Sequence, residues 1–314
     1  MKRVAFAIMI LMMCGSVFMV GAQAKNEFPS KPIHVIVYTA PGGLIDITAR
    51  KMVQIAAKYT NATMVVENKA GAGGLVAWEY VLSQPADGYT LFAVTRSNIG
   101  NLISTESTMD PFTLDWISLM VLDPEAIIVN SKSKYNTIAD IVADAKAKPG
   151  KQIWIAPPGI DEYVTYKFWQ KAGISGKFVP FDSGAQAMAA VIGGQGQVYV
   201  GNPADISGKP DLKIIGLAAA QRLPQFPNVP TLKESGIQGM DEESMWRGFT
   251  VKKGTSAEIV KWYDTLFEKI TNDSEWKAFF EKDGMEVVHY RADKFDAMIK
   301  NDMVEMKEFL KPYE

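Results

Sequence analysis

Apolar and polar positions along this chain fall into alternating blocks of two periods. Ile33-His34-Val35-Ile36-Val37-Tyr38 is a β-rich apolar run that leads into the turn Gly42-Gly43. Ile45, Ala49, Met52, Val53 and Ala56 then recur at helical spacing on one face. Met64-Val65-Val66 predicts a second strand. Leu75 to Leu82 predicts a helix after the flexible turn Gly71 to Gly74, and Tyr89 to Val94 a third strand entered through Pro85-Ala86-Asp87-Gly88. The alternation resumes with a strand at 127–129, a helix capped by Thr137 and stopped by Pro149-Gly150, and a strand at 153–156. A helix over 162–171, a strand over 178–181, a helix over 185–192 ended by Gly193-Gly194 and a strand over 198–200 follow. Near the end, Thr255-Ser256-Ala257-Glu258 reads as a capping box ahead of Ile259, Tyr263, Leu266, Phe267 and Ile270, and residues 294–310 predict a last amphipathic helix. Strands alternating with helices imply an α/β protein with a mostly parallel sheet and right-handed crossovers. There are too many units for one comfortable sheet, which implies two lobes with a cleft between them. Periodicity does not place their boundary.

The start of the chain has a different pattern. Lys2 and Arg3 precede an almost wholly apolar run from Val4 to Val20, and Ala22-Gln23-Ala24 is a small-x-small site. This predicts a signal peptide over residues 1–24, cleaved after Ala24, and export to the periplasm. An uncleaved anchor is the competing reading, and Met13 argues against a lipoprotein built on Cys14. Cleavage removes two cations and takes the formal charge from −2 to −4. It also removes Cys14, the only cysteine, so stability must rest on a buried core rather than a disulfide. Nothing basic enough to grip nucleic acid follows, and no later run is apolar enough to span a membrane.

In parallel sheets ligands sit beyond the carboxyl ends of the strands, where helices begin and their free N–H groups attract anions. Four loops qualify. They are Thr39-Ala40-Pro41-Gly42-Gly43, Thr95-Arg96-Ser97-Asn98, Ala156-Pro157-Pro158-Gly159 and Asp182-Ser183-Gly184. Each alone reads equally as an ordinary tight turn. Asn202 and Asp205 follow a later strand, as a helix cap or a ligand donor. Trp246 and Tyr163 can shelter a ligand, with core packing the safer default across seven tryptophans. Asp46 and Asp161-Glu162 lie in first turns, where acids are favourable in any case. Catalytic ingredients are scarce. His34 and His289 are the only imidazoles, and the chain has no G-x-S-x-G elbow, no H-E-x-x-H helix and no metal-spaced cluster. Hence no catalytic residue, metal or cofactor is expected.

The ordered set of short motifs is more specific than any one of them. Phe28-Pro29-Ser30-Lys31-Pro32-Ile33 is followed by Pro41-Gly42-Gly43 with Asp46 and Ala49-Arg50, then by Val66-Glu67-Asn68-Lys69-Ala70-Gly71-Ala72-Gly73-Gly74 and Ala86-Asp87-Gly88-Tyr89-Thr90-Leu91. Later come Ala145-Lys146-Ala147-Lys148-Pro149-Gly150, Gly193-Gly194-Gln195 and Phe226-Pro227-Asn228-Val229-Pro230-Thr231 with Glu234 and Gly236. This series resembles the tripartite tricarboxylate transporter receptors, also called the Bug family of periplasmic binding proteins. The resemblance implies a two-lobed, Venus-flytrap fold of the type II class, with mixed sheets flanked by helices. It implies one lobe of residues 25–124 plus 217–314 and another of 125–216. It implies a solute-binding receptor for a small organic acid, acting as a monomer beside a membrane permease with a large and a small subunit, or beside a membrane sensor. It also implies a carboxylate held at Pro41, Gly42, Gly43 and Asp46.

Two departures stand out. The second-lobe loop, rich in small hydroxyl donors in the family, reads Pro157-Pro158-Gly159-Ile160-Asp161-Glu162-Tyr163, in which the prolines donate nothing and the acids repel an anion. Arg96 stands where the family carries small polar residues, and arginine can grip a carboxylate with two parallel bonds. The expected ligand contacts are therefore Thr39, Pro41, Gly42, Gly43, Asp46, Thr95, Arg96, Ser97, Gly159, Asp161, Ser183, Gly184 and Asn202, with Arg96 anchoring a carboxylate.

Overall fold

A computed structural model of the 314-residue chain describes residues 28–310. The expected signal peptide and its cleavage site lie outside the described residues. From Lys31 onward the chain builds two sheets. β1 (Ile33–Val37), α1 (Leu44–Ala56), β2 (Met64–Asn68), α2 (Leu75–Ser83), β3 (Thr90–Thr95), α3 (Arg96–Ser104) and β4 (Leu114–Pro124) begin the first. Glu125 alone separates β4 from β5 (Ala126–Asn130), which belongs to the second. There follow α4 (Ile138–Ala147), β6 (Ile153–Ala156), α5 (Ile160–Ala172), β7 (Lys177–Pro180), α6 (Gly184–Ile192), β8 (Val198–Gly201) and β9 (Leu212–Leu217). The chain then returns to the first sheet through β10 (Ser244–Lys252), α7 (Ala257–Asn272), α8 (Ser274–Glu281), β11 (Glu286–Arg291) and α9 (Ala292–Phe309).

The strand orders are β11-β4-β10-β3-β1-β2 and β7-β6-β8-β5-β9. β1 is parallel to β2 and β3, but β10 runs antiparallel to both β3 and β4, and β11 antiparallel to β4. In the second sheet β6 is parallel to β7 and β8, while β5 runs antiparallel to β8 and β9. The sheets are thus mixed, as the resemblance implies, and not mostly parallel, as alternation alone suggests. The strands entering and leaving the inserted segment run opposite to their neighbours. The two crossing segments touch where they pass: Glu125 N donates to Glu243 O and Ala218 N to Glu125 O, each at 2.8 Å.

Local signals place most helix ends. Thr137 caps α4, its hydroxyl accepting from Asp140 N at 3.2 Å while Asp140 Oδ2 accepts from Thr137 N at 2.9 Å. The expected box at Thr255 is shifted by one residue. Ser256 is the cap, accepting from Ile259 N, and Thr255 Oγ1 donates back to Lys252 O at 2.8 Å. The core of the first sheet is aromatic. Trp78, Trp116, Trp246 and Phe295 meet edge to face, with centroids 5.0–6.2 Å apart. Trp246 is therefore a core residue.

Candidate functional site

The ends of β1, β3, β6, β7 and β8 carry the positions singled out in the sequence, and the conformation of each loop follows from a few anchors. Asp46, buried in the first turn of α1, accepts from Gly42 N at 2.9 Å, from Asn68 Nδ2 at 2.8 Å and from Arg50 Nε. Against the burial that would raise it, these bonds hold its carboxyl below the ordinary value. Asp46 is thus spent on shaping the loop, and its charge is matched by Arg50. Gly43 caps α1 without a side-chain hydrogen bond, so no protein side chain fills the first-turn amides. A Cβ at Gly43 would stand 3.0 Å from Thr39 Oγ1, which is itself buried without a partner. Pro41 and Gly42 are exposed beside it.

Thr95 and Asn98 close a capping box at the start of α3, with Thr95 N donating to Asn98 Oδ1 at 2.9 Å. Thr95 Oγ1 lies 2.7 Å from the Tyr38 hydroxyl, and Ser97 Oγ lies against Met245 Sδ. Gly159 caps α5 with φ +97°, a conformation that favours glycine, and a Cβ there would meet Asn101 Oδ1 at 3.1 Å. Ser183 caps α6 through Gln186 N, with Gly184 following it. Asn202 Nδ2 donates to the carbonyls of Asp123 and Pro124 and to Glu125 Oε1, tying β8 to the crossover.

Arg96 requires a correction. Its guanidinium is buried and taken up within the protein. Nε donates to Asp302 Oδ1 at 2.9 Å, Nη1 to Glu243 Oε2 at 2.8 Å, and Nη2 lies 2.7 Å from Asp302 Oδ1. Burial opposes its charge, but Asp302 and Glu243 outweigh burial and raise its pKa. With both edges of the fork occupied by carboxylates, Arg96 has no free edge for a ligand. Tyr163 belongs to the same network. Its hydroxyl donates to Glu305 at 2.9 Å, and Lys167 reaches Glu243. Arg96, Lys167, Glu243, Asp302 and Glu305 border a groove of about 870 Å³ that includes Tyr290, Asn301 and Leu223 but none of the loop residues Thr39 to Gly43. Those five charges already pair with one another. The loops beyond the strand ends therefore fit a ligand better.

Sequence patterns did not point to the groups that most distinguish this region. Asp123, Glu125 and Arg247 are buried with Asp161 at the crossover. Burial raises Glu125 well above the ordinary glutamate range, and the adjacent Asp161 adds to it. Asp161 is likewise raised by burial and by Asp205. Asp123 is pushed up to about 7 by burial and Asp205, although Arg247 Nη2 donates to it at 3.0 Å. Among the described residues no group of His, Cys, Asp and Glu is arranged to hold a metal ion, and no helix is long and apolar enough to cross a membrane.

Known proteins share this architecture. A family model described as a tripartite tricarboxylate transporter family receptor matches residues 48–313. A UPF0065 protein from the gbd 5′ region of Cupriavidus necator is 29% identical over 282 residues, covering 87% of this chain and 85% of its own. A Rhodopseudomonas palustris protein solved with adipate superposes with a TM-score of 0.81 at 19% identity, over 90% of this chain and 97% of its own. MatC from the same organism, solved with bound malate, superposes with a TM-score of 0.79 at 20% identity, over 90% of this chain and 100% of its own.

Proposed function

The chain belongs to the tripartite tricarboxylate transporter receptor family and is a solute-binding receptor with its two-lobed α/β fold, and from that premise we propose that it captures one small organic acid in the periplasm. Two structural neighbours were solved with dicarboxylates, adipate and malate, which supports an acid ligand here. In this reading residues 1–24 are removed on export. One lobe consists of residues 25–124 and 217–314, the other of 125–216. The loaded monomer is presented to a permease with a large and a small subunit. Binding without turnover is the whole activity.

The observation that carries the acid reading is the start of α1. Its first-turn amides lack a side-chain cap, Thr39 Oγ1 beside them is buried without a partner, and Arg50 neutralises the one acid nearby. Helix dipole and hydroxyl together suit one carboxylate. Gly42 and Gly43 let it approach the backbone, and Pro41 exposes the loop. Gly159, Asp161, Ser183, Gly184 and Asn202 of residues 125–216 are the positions that close on the start of α1, with Thr95 and Ser97 contributing from its own lobe. Closure excludes water and strengthens each polar contact.

A thermal-shift screen of organic acids followed by calorimetry tests this. A true ligand at a hundred times its dissociation constant adds about 2.7 kcal/mol of stability. Thr39→Val should then weaken the tightest acid by roughly ten- to a hundredfold, since a hydrogen bond to a charged group is worth about 1.5–3 kcal/mol. An unchanged affinity in the folded variant would remove the carboxylate from this loop.

A further inference from the structure

Helix α5 lies in the inserted segment, yet two of its side chains find their partners outside it. Tyr163 and Lys167 stand one turn apart on one face of α5. Asp302, Glu305 and Phe309 share one face of α9, the last helix of the other lobe. The two faces meet. The Tyr163 ring packs edge to face on Phe309, with centroids 5.4 Å apart. The Tyr163 hydroxyl donates to Glu305 Oε2 at 2.9 Å and accepts from Lys167 Nζ at 2.9 Å. Lys167 Nζ also donates to Glu305 Oε2 at 3.3 Å and to Glu243 Oε1. The receiving side is fixed within its own lobe. Arg96 on α3 donates to Glu243 Oε2 at 2.8 Å and to Asp302 Oδ1 at 2.9 Å, so Glu243 is held by a cation from each lobe. Its carbonyl accepts from Glu125 N where the two crossing strands touch.

The network is graded from dry to wet. Arg96, Glu243 and Asp302 are buried, whereas the side chain of Lys167 is 11% exposed and that of Glu305 39%. The driest pairs, Arg96 with Glu243 and with Asp302, lie within one lobe. The wettest, Lys167 with Glu305, joins the two. Burial opposes the charge of Glu305, but the Tyr163 hydroxyl and Lys167 outweigh it, so Glu305 enters the pair as an anion. An ion pair open to water costs little to break and is screened by salt, while a buried one is neither. That gradient suits a joint that opens more than a fixed core. We propose that Tyr163 and Lys167 of α5 latch onto Glu305 and Phe309 of α9 and hold the two lobes in the arrangement seen here. Parting the lobes releases Glu305 to water, while Glu243 and Asp302 stay with Arg96. The latch thus biases the lobes before any ligand arrives, and ionic strength outside the cell shifts that bias. This inference rests on the two-lobed receptor reading given above and adds a device that acts without a ligand.

The test is the distance between the lobes, measured by pulsed electron spin resonance on residues 25–314, which contain no cysteine. Nitroxide labels go on Glu79→Cys and Lys146→Cys, exposed positions in the first and second lobe. Without ligand and at low salt, Glu305→Gln and Lys167→Met should each raise the share of a second distance over that of the labelled parent by roughly two- to fivefold, the weight of a partly exposed ion pair. Sodium chloride at about 1 M should do the same to the parent and change either variant little further. If Lys167→Met melts far below the parent, Glu305→Gln carries the test, because Glu305 is the more exposed partner and Glu243 then keeps both its cations. A distribution that neither the substitutions nor salt alter, even beside a lowered unfolding midpoint, overturns the inference: the contacts then brace α5 without governing the lobes. No ligand enters the measurement, so failure of the organic-acid screen overturns the receptor reading and leaves the latch to be judged by these distances.

Discussion

At the scale of single residues, Arg96 shows how far a local pattern reaches. Its position after a buried strand was legible, and its place at the start of α3 follows from that. Its partners were not. Glu243 and Asp302 lie 147 and 206 positions away in the chain, and nothing in the Thr95-Arg96-Ser97 string announces them. Arg247 and Glu125 were hidden for the same reason: each acquires meaning only when β4, β5 and β10 converge. By contrast Asp161 stood out, because two acids after two prolines are odd at a helix start expected to meet an anion. Arg96→Ala should therefore act on stability rather than on recognition. It leaves Asp302 buried without a countercharge and Glu243 with Lys167 alone, a loss of about 3–5 kcal/mol when one partner of a buried pair is removed. Urea unfolding should show a lower midpoint with an unchanged slope, while the remaining folded protein binds its ligand within about twofold of the parent. A stable variant with lost affinity would return Arg96 to the ligand.

At the scale of elements, the short apolar runs set off by turn residues between 33 and 201 were the strands readable from sequence, buried though most of them are. β4 and β10 were not, since both are long, buried along nearly their whole length and show neither a period of two nor a period of 3.6. α3 carries no clear helical signal in the sequence, because glycine and asparagine interrupt its apolar face. The missed strands carry the crossover and with it the acid pair, so fold and site were obscured together. The pair has a consequence for pH. Glu125 titrates near 4.3 in an unfolded chain and well above that in the folded one. The folded state thus holds more protons between those two values. The stability cost of Glu125 is absent below about pH 4 and grows as pH rises through its folded pKa. Glu125→Gln keeps the size and offers an amide donor to Asp161 without the charge. Its melting temperature should exceed the parent's by more at pH 8 than at pH 4.5. A difference independent of pH would mean that Glu125 stays charged in the fold.

At the scale of the whole molecule, the second sheet is an insertion into the first, entered through Glu125 and left through the segment between β9 and β10. Movement of one sheet against the other must pass through those two strands, which are hydrogen-bonded to each other where they cross. Away from the crossover, α3 on the first sheet meets the start of α5 on the second without side chains between them. A Cβ on Gly100 would stand 2.8 Å from Gly159 Cα, nearer than real Cβ atoms come to backbone. Gly100→Ala should separate closure from folding. Within α3 alanine is favoured over glycine by about 1 kcal/mol, so the unliganded protein should melt no lower than the parent. The arrangement seen here, with α3 against Gly159, then carries an overpacking penalty of about 1–3 kcal/mol, which should weaken the tightest acid by roughly five- to a hundredfold. Small-angle scattering supplies the decisive readout. The parent should contract when that acid is added, and Gly100→Ala should contract less or not at all at the same concentration. Full contraction with parent affinity would mean that the glycine contact persists whether the lobes are open or closed, and that closure occurs elsewhere along the cleft.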